Sequence, residues 1–454
     1  MTWGAFPAGC QKYQAVSKEF KTKAAVSVFA LFALWVMVTG LVAAQSVTIS
    51  VWHVVGPPPG REVFETIVDE FRAEHPHINV ELEFVSGGYY GILDKLTVGI
   101  IGGVAPNAVQ MAHSQSYSFR DLGLFAPLND YIENDPEFNL EDWYPPFLET
   151  VMLPGKESIY GVPYNVSTPL MYYSPALLDE SGVPAPPATW EQMVEYGKKI
   201  VRDENGDGTP DIWAMDTTRA PGWLQEMFLG QAGGQTVNDD RTEFLLNSPQ
   251  GVRAWEFMQS LIHEHGISKY PGAPGVDVFG GRVGWILRST SSLAPFLNNA
   301  KEAGHPLSAA PVPCDQRCYA PIGGGAFYAL DRGTQEERDA TYTFLKYISR
   351  ADNLARYAAS SGFMVGRASS VLDEHLEAVF QDTPEFRVTY EQLAYAHPET
   401  QAPEWPRVQE LWNDTKSFID PIFLENAPVK PILDDVVRKA NVFLKEYYER
   451  NAQR

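Results

Sequence analysis

Basic residues are scarce in this chain: 35 Lys and Arg stand against 57 Asp and Glu over 454 residues, a formal net charge of −22. That balance argues against nucleic acid or anionic lipid as the main partner, because phosphates would be repelled. Cysteine is scarcer still, with three in all. Beyond residue 44 only Cys314 and Cys318 remain, in Pro313-Cys-Asp-Gln-Arg-Cys318. Two cysteines without nearby partners make a poor zinc site, which usually takes about four ligands; in an oxidising compartment the pair could close a small disulfide loop. There is no internal repeat, low-complexity run or long flexible linker. A Gly-x-Ser-x-Gly elbow is missing, and no motif sets up the two carboxylates of a glycosidase.

What is present is ordinary globular composition, 44% hydrophobic and 20% charged, which rules out a disordered or fibrous chain. At roughly 150 residues per domain the length implies two or three domains. Aromatics are plentiful at 12%, with 11 Trp and 21 Tyr. Aromatic faces stack on the C–H faces of sugars; they also build cores and lobe interfaces.

The first 44 residues differ from the rest. Lys12, Lys18, Lys21 and Lys23 precede an apolar run from Ala24 to Val42, and Val42-Ala43-Ala44 supplies small residues for a signal peptidase. The expectation is cleavage after Ala44. The alternative is an uncleaved anchor, since about 19 apolar residues could just span a bilayer. No Cys follows the run, which argues against a lipid anchor. The mature chain would carry 31 basic and 56 acidic residues, a net charge of −25.

From there the pattern is mixed α/β. Val47, Ile49 and Val51 alternate as a strand ending at Trp52-His53. Val63, Phe64, Ile67, Val68 and Phe71 mark a helix that must stop before Pro76. Ile78 to Phe84 alternates again and runs to Gly87-Gly88-Tyr89-Tyr90. Ligands of open α/β sheets bind at the carboxyl ends of strands. Further helices are expected at Trp190–Ile200 with Thr189 as N-cap, Ser248–His265, Glu336–Ser349, Pro406–Phe418 and Pro431–Glu449. Strands are expected at Val283–Leu287 and, carrying a triple glycine, within Ala320–Leu330. The implied architecture is two α/β lobes.

Four stretches, in order, carry a resemblance: Ser50-Val-Trp-His53; Val162-Pro-Tyr-Asn-Val-Ser-Thr-Pro-Leu-Met-Tyr-Tyr-Ser174; Phe279-Gly-Gly-Arg-Val-Gly-Trp-Ile-Leu-Arg-Ser289; and Pro321-Ile-Gly-Gly-Gly-Ala326 with Phe344-Leu-Lys-Tyr-Ile348. With them the chain resembles the extracellular solute-binding proteins of ABC importers, in the cluster of maltose-like and glycerol-3-phosphate-like binders. The resemblance implies a two-lobed periplasmic-binding-protein-like fold of type II with the ligand in the inter-lobe cleft. It places 45–155 with 321–368 in an N-terminal lobe and 156–320 with 369–454 in a C-terminal lobe.

The resemblance to the glycerol-3-phosphate-binding branch also implies ligand contacts at Tyr89, Ser167, Ser289, Gly324 and Gly325. They offer hydroxyls and backbone N–H groups, and the glycine run lets a ligand come close to the backbone. Departures from the branch fall at His113, where it has a glutamate, and at Phe363, where it has a tyrosine. Its arginine near the C-terminus has no clear counterpart, Arg407 being displaced. Bidentate arginine is the usual way to hold a phosphate dianion, so its loss favours a neutral sugar over glycerol-3-phosphate. Trp223 stands where the family often places an aromatic platform, although a lobe-core Trp reads almost as well; Trp52 and Trp285 are open between core and cleft.

Asp203, Asn205, Asp207 and Asp211 match the start of a calcium loop, but position 12 is Ala214 rather than a bidentate acid. A solvated acidic turn is the alternative, and no cofactor is expected. His75 with His77, and His263 with His265, lack the helical spacing of a metal pair. The function implied is a monomeric, exported binder, periplasmic or extracellular, delivering a mono- or oligosaccharide to membrane permease subunits. The alternatives are a glycerol-3-phosphate or glycerophosphodiester binder and, in another class, a secreted carbohydrate-active enzyme.

Overall fold

The structure, a computed structural model, describes residues 46–56, 59–152, 158–217, 223–396, 411 and 418–451. The export segment with its cleavage point at Ala44, Arg407 and nearly all of the expected 406–418 helix lie outside the described residues. Among the described residues no helix is long and apolar enough to cross a membrane.

Among the described residues ten strands form two five-stranded sheets. The first holds β1 (Val47–His53), β2 (Ile78–Phe84), β3 (Ala108–Ala112), β4 (Gly161–Ser167) and, much later in the chain, β10 (Gly323–Ala329), in the order β2-β1-β3-β10-β4. β1 runs parallel to β2 with Val47 opposite Ile78 and His53 opposite Phe84. β10 enters antiparallel between β3 and β4, so its amino end lies beside their carboxyl ends. The second holds β5 (Pro169–Tyr173), β6 (Trp213–Asp216), β7 (Ser268–Lys269), β8 (Val283–Ser289) and β9 (Ser308–Ala310), in the order β7-β6-β8-β5-β9.

Local sequence explains the elements. The helix Gly60–Glu74 buries Phe64, Ile67, Val68 and Phe71, spaced one helical turn apart, and ends just before Pro76. Thr189 caps Trp190–Ile200 by accepting from Gln192 N at 3.2 Å. Ser248 caps Pro249–His263. Thr334 and Glu337 form a reciprocal capping box on Gln335–Ile348. The long helix Val429–Asn451 places Leu433, Val436, Val437, Ala440 and Leu444 in the core of the second lobe. Trp285, left open between core and cleft, is fully buried there, and Trp52 is core in the first lobe at 7% exposure.

Strand pairing and helix packing move two of the three expected lobe boundaries. β4 pairs with β10 in the first sheet, so the chain changes sheets at Thr168 rather than at 155/156. Gly161 to Tyr173 is an almost unbroken buried stretch, and a continuous run gives no local mark of the crossing. On the return side, Glu374–Asp382 still packs on Ala351–Ser361 in the first lobe, with Leu376 and Phe380 in that core, and only Glu385–Glu391 reaches β9. The crossing is tied across the sheets. Thr168 N donates to Thr290 Oγ1 at 3.2 Å, Thr290 N donates to Thr168 O at 2.9 Å, and Gln392 Nε2 donates to Thr168 Oγ1 at 2.9 Å.

Candidate functional site

The carboxyl ends of β3 and β4 and the amino end of β10 meet at one edge of the first sheet, and the glycine run is its centre. Gly323 lies opposite Ser167, and Gly325 lies opposite both Asn165 and Ala112. Gly324 takes φ +93°, and a methyl group there would fall 1.6 Å from Asn165 O. Only glycine fits there.

An aromatic ring rests on either end of the run. The Trp223 indole lies against Gly323, where a β-carbon would come within 2.9 Å of Cε2. Tyr89 lies against Gly325, where a β-carbon would come within 2.9 Å of its Oη. Trp223 opens the helix Trp223–Gln231 of the second lobe, and Tyr89 stands in the first turn of Gly88–Gly102 in the first. Both rings are half-buried. Trp223 Nε1 has no hydrogen-bond partner among the described residues, leaving a donor free beside Gly323, whose strand partner Ser167 is 4% exposed. Burial, with Tyr357 and Tyr328 nearby, pushes the Tyr89 phenol well above its usual range, so it stays a protonated donor.

His113 follows β3 directly and is fully buried. Desolvation first, then the positive charge of Arg120, push its pKa down to about 3, so the ring is neutral at physiological pH. Nδ1 faces Tyr328 Oη at 3.5 Å, and Nε2 has no partner among the described residues. A neutral imidazole brings no charge to the place where the resembling branch has a carboxylate.

On the other side of the crossing, Ser289 ends β8 opposite Pro169. Its hydroxyl lies 2.8 Å from Ser291 Oγ and accepts from Ser291 N at 3.2 Å, while its carbonyl accepts from Tyr172 Oη at 2.7 Å. Phe363 is half-buried and stacks on Tyr357 at 6.1 Å between centroids. The structure therefore gathers Tyr89, Ser167, Trp223, Gly324 and Gly325 around one edge, with His113 beside it. Ser289 and Phe363 flank the crossing; Met364 N, next to Phe363, donates to Val166 O at 2.8 Å.

Beneath the glycine run lies a buried network that sequence reasoning missed. Gln110 Nε2 donates to Asn165 Oδ1, Asn165 Nδ2 donates to Tyr357 Oη at 2.5 Å, and Gln110 Oε1 accepts from Val54 N at 2.8 Å. These bonds fix Asn165, whose carbonyl Gly324 must clear. The available signal was a pair of amides inside otherwise apolar strands, where a polar side chain needs a partner.

In the second sheet Asp216 ends β6, 3% exposed. Burial, then Asp277, raise its pKa to about 6, opposed by Lys269, by a hydrogen bond from the Ala273 backbone and by Arg288. Lys269 is itself bound to Asp277 at 2.5 Å.

The acidic loop 203–211 is closed by its own amides: Asp203 accepts from Gly206 N and Gly208 N at 2.7 and 2.8 Å, and Asp211 accepts from Glu204 N at 2.9 Å. Ala214, at the twelfth position, is buried in β6. Among the described residues no group of three or more His, Cys, Asp or Glu is arranged to hold a metal ion. Cys314 and Cys318 are joined as a disulfide.

A two-lobed α/β body with aromatic, hydroxyl and glycine groups at the strand ends beside the crossing is the architecture of a solute-binding protein. Residues 66–388 match the family model of bacterial extracellular solute-binding proteins, and the chain belongs to that family. Among its relatives is the maltotriose-binding protein of Pyrococcus abyssi, 23% identical over 84% of this chain and 79% of that one. The fold is similar to the sugar-binding protein MalE from Xanthomonas citri, with a TM-score of 0.76 at 18% identity over 90% and 100% of the two chains. It is also similar to UgpB from Mycobacterium tuberculosis in complex with glycerophosphocholine, with a TM-score of 0.73 at 21% identity over 89% and 99%.

Proposed function

We propose that this protein is the exported binding component of an ABC importer and that it carries a neutral carbohydrate to the permease. The observation that carries this reading is the glycine run with Trp223 on one end, Tyr89 on the other and Ser167 opposite. Aromatic faces suit the C–H faces of a sugar ring, and the hydroxyls and backbone amides suit its oxygens. Relatives named for maltotriose and for sugar support the ligand class. Binding needs no chemistry: the lobes close on the sugar, and reopening on the permease releases it. The protein acts as a monomer, with its export signal removed near Ala44.

A glycerophosphate ligand is the second reading, favoured by the fold shared with UgpB and by Arg288, one residue before Ser289. Arg288 also offsets the buried charge of Asp216 and lies over the Phe296 ring at 5.2 Å. A cation already balanced in this way is poorly placed to neutralise a dianion, and His113 is neutral. A thermal-shift screen over sugars and glycerophosphates tests the reading, because a ligand that binds only the native state raises the melting temperature. Stabilisation by a neutral sugar is expected; stabilisation by glycerophosphates alone would overturn it.

A further inference from the structure

The helix His113–Asp121 starts at the site and ends against the other lobe. Tyr117, on that helix, is 3% exposed, with two guanidinium groups over its ring. Arg120 of the same helix lies 3.9 Å from the ring centroid, and Arg241 of the second lobe lies 4.2 Å from it. Tyr447 Oη, on the last turns of the C-terminal helix, donates to Ser118 O at 3.4 Å.

Arg241 is held in a backbone conformation that few side chains adopt. Its φ is +57°, in the left-handed region that favours Gly and Asn. The turn around it is tied down from every side. Arg241 N donates to Asn238 O at 2.9 Å, and Thr242 N and Glu243 N donate to Asn238 Oδ1 at 2.8 and 3.1 Å. Tyr448 Oη donates to the Arg241 carbonyl at 3.2 Å, and Phe244 N donates to Asn441 Oδ1 at 2.8 Å. Val237 and Phe244, on either side of the turn, are in the second lobe's core. The turn is thus a rigid part of the second lobe, and its arginine reaches a ring of the first. A strained position occupied by a cation across a moving interface points to function rather than local packing.

We infer that Arg241 is a positioning residue for lobe closure: seated on Tyr117, it stabilises the closed state and so sets ligand affinity without touching the ligand. Arg120, whose Nη1 donates to Met152 O, also lies over the ring. When the lobes part, the Tyr117–Arg241 contact is lost and both groups return to water. A cation–π contact at a partly exposed site amounts to about 0.5–1 kcal/mol, which converts to a two- to fivefold change in the open-to-closed ratio. Affinity for any ligand that selects the closed state falls by the corresponding loss of closed population.

The test needs no ligand, so its outcome is separate from that of the carbohydrate reading. Spin labels at Glu133→Cys and Glu191→Cys, two exposed positions on different lobes, report open and closed populations through their distance distribution. In R241N the open-to-closed ratio should rise two- to fivefold, while R241K, which keeps a cation, stays near the parent. Asn suits the left-handed conformation, so R241N should melt no lower than the parent, separating opening from unfolding. Unchanged populations in R241N, or equal opening in R241N and R241K, would overturn the assignment.

Discussion

Acidification from pH 7 to pH 5 is predicted to remove about 2–3 kcal/mol of folding stability, and the reason lies in two buried histidines. His53 and His113 are 1% and 0% exposed. Desolvation, followed by Arg61 and Arg120 respectively, lowers their pKa values from 6.5 to about 4 and about 3. His53 Nδ1 also accepts from Val55 N at 3.3 Å, a bond its protonation would break. In the unfolded chain both titrate near 6.5, so below that pH the unfolded state takes up protons the folded state refuses. The stabilisation is complete above about 6.5 and is lost as pH falls toward the folded values. Between pH 7 and 5 the loss is about 2 kcal/mol for each histidine. Asp216 acts oppositely: its pKa of about 6 lies above the usual 3.8, so the folded state gains a proton first and recovers about 1 kcal/mol. Urea midpoints at pH 7, 6 and 5, read by tryptophan fluorescence, should fall steadily. His113→Gln should remove about half of the histidine part of the slope. A midpoint at pH 5 equal to or above that at pH 7 would refute the reasoning.

Gly324→Ala should destabilise by at least about 2 kcal/mol in urea titration, because it adds left-handed strain to a clash with Asn165 O. Ser167→Ala should weaken ligand binding two- to tenfold, about 0.5–1.5 kcal/mol for one neutral hydrogen bond, with an unchanged melting temperature. Ser289→Ala should weaken binding similarly and also loosen the 290–292 turn, which its hydroxyl caps; unchanged affinity in both serine variants would remove these residues from the site. Intact mass of the exported protein should correspond to a chain beginning at Gln45, and a mass that includes Ala24 to Val42 would mean a retained anchor.

Elements set by local chemistry were legible in the sequence. Trp190–Ile200 has its N-cap and its buried stripe within one short segment, and Gly323–Gly325 announces a close backbone approach by composition alone. What depends on distant partners was not. The crossing at Thr168 is defined by hydrogen bonds to Thr290 and Gln392, 122 and 224 residues away, inside a buried run with no break. Asn165 reads as an interruption in a strand until Gln110 and Tyr357 are brought to it, 55 and 192 residues away. His113 was readable as a substitution of a carboxylate, but its neutrality follows from a burial that only the fold produces. Trp223 reads equally as platform or core in the sequence, and only the fold sets its indole against Gly323.

Side-by-side calorimetry of the best neutral sugar from the thermal screen and of sn-glycerol-3-phosphate, in one buffer at pH 7, tests the central claim most directly. A neutral sugar needs only paired hydroxyls and aromatic faces, whereas a dianion must overcome an acidic protein in which Arg288 already offsets Asp216 and lies over Phe296. The sugar should bind at least about tenfold more tightly, a gap near 1.4 kcal/mol. Tighter binding of the phosphate ester would contradict the account and turn attention to Arg288 as the cation that receives it.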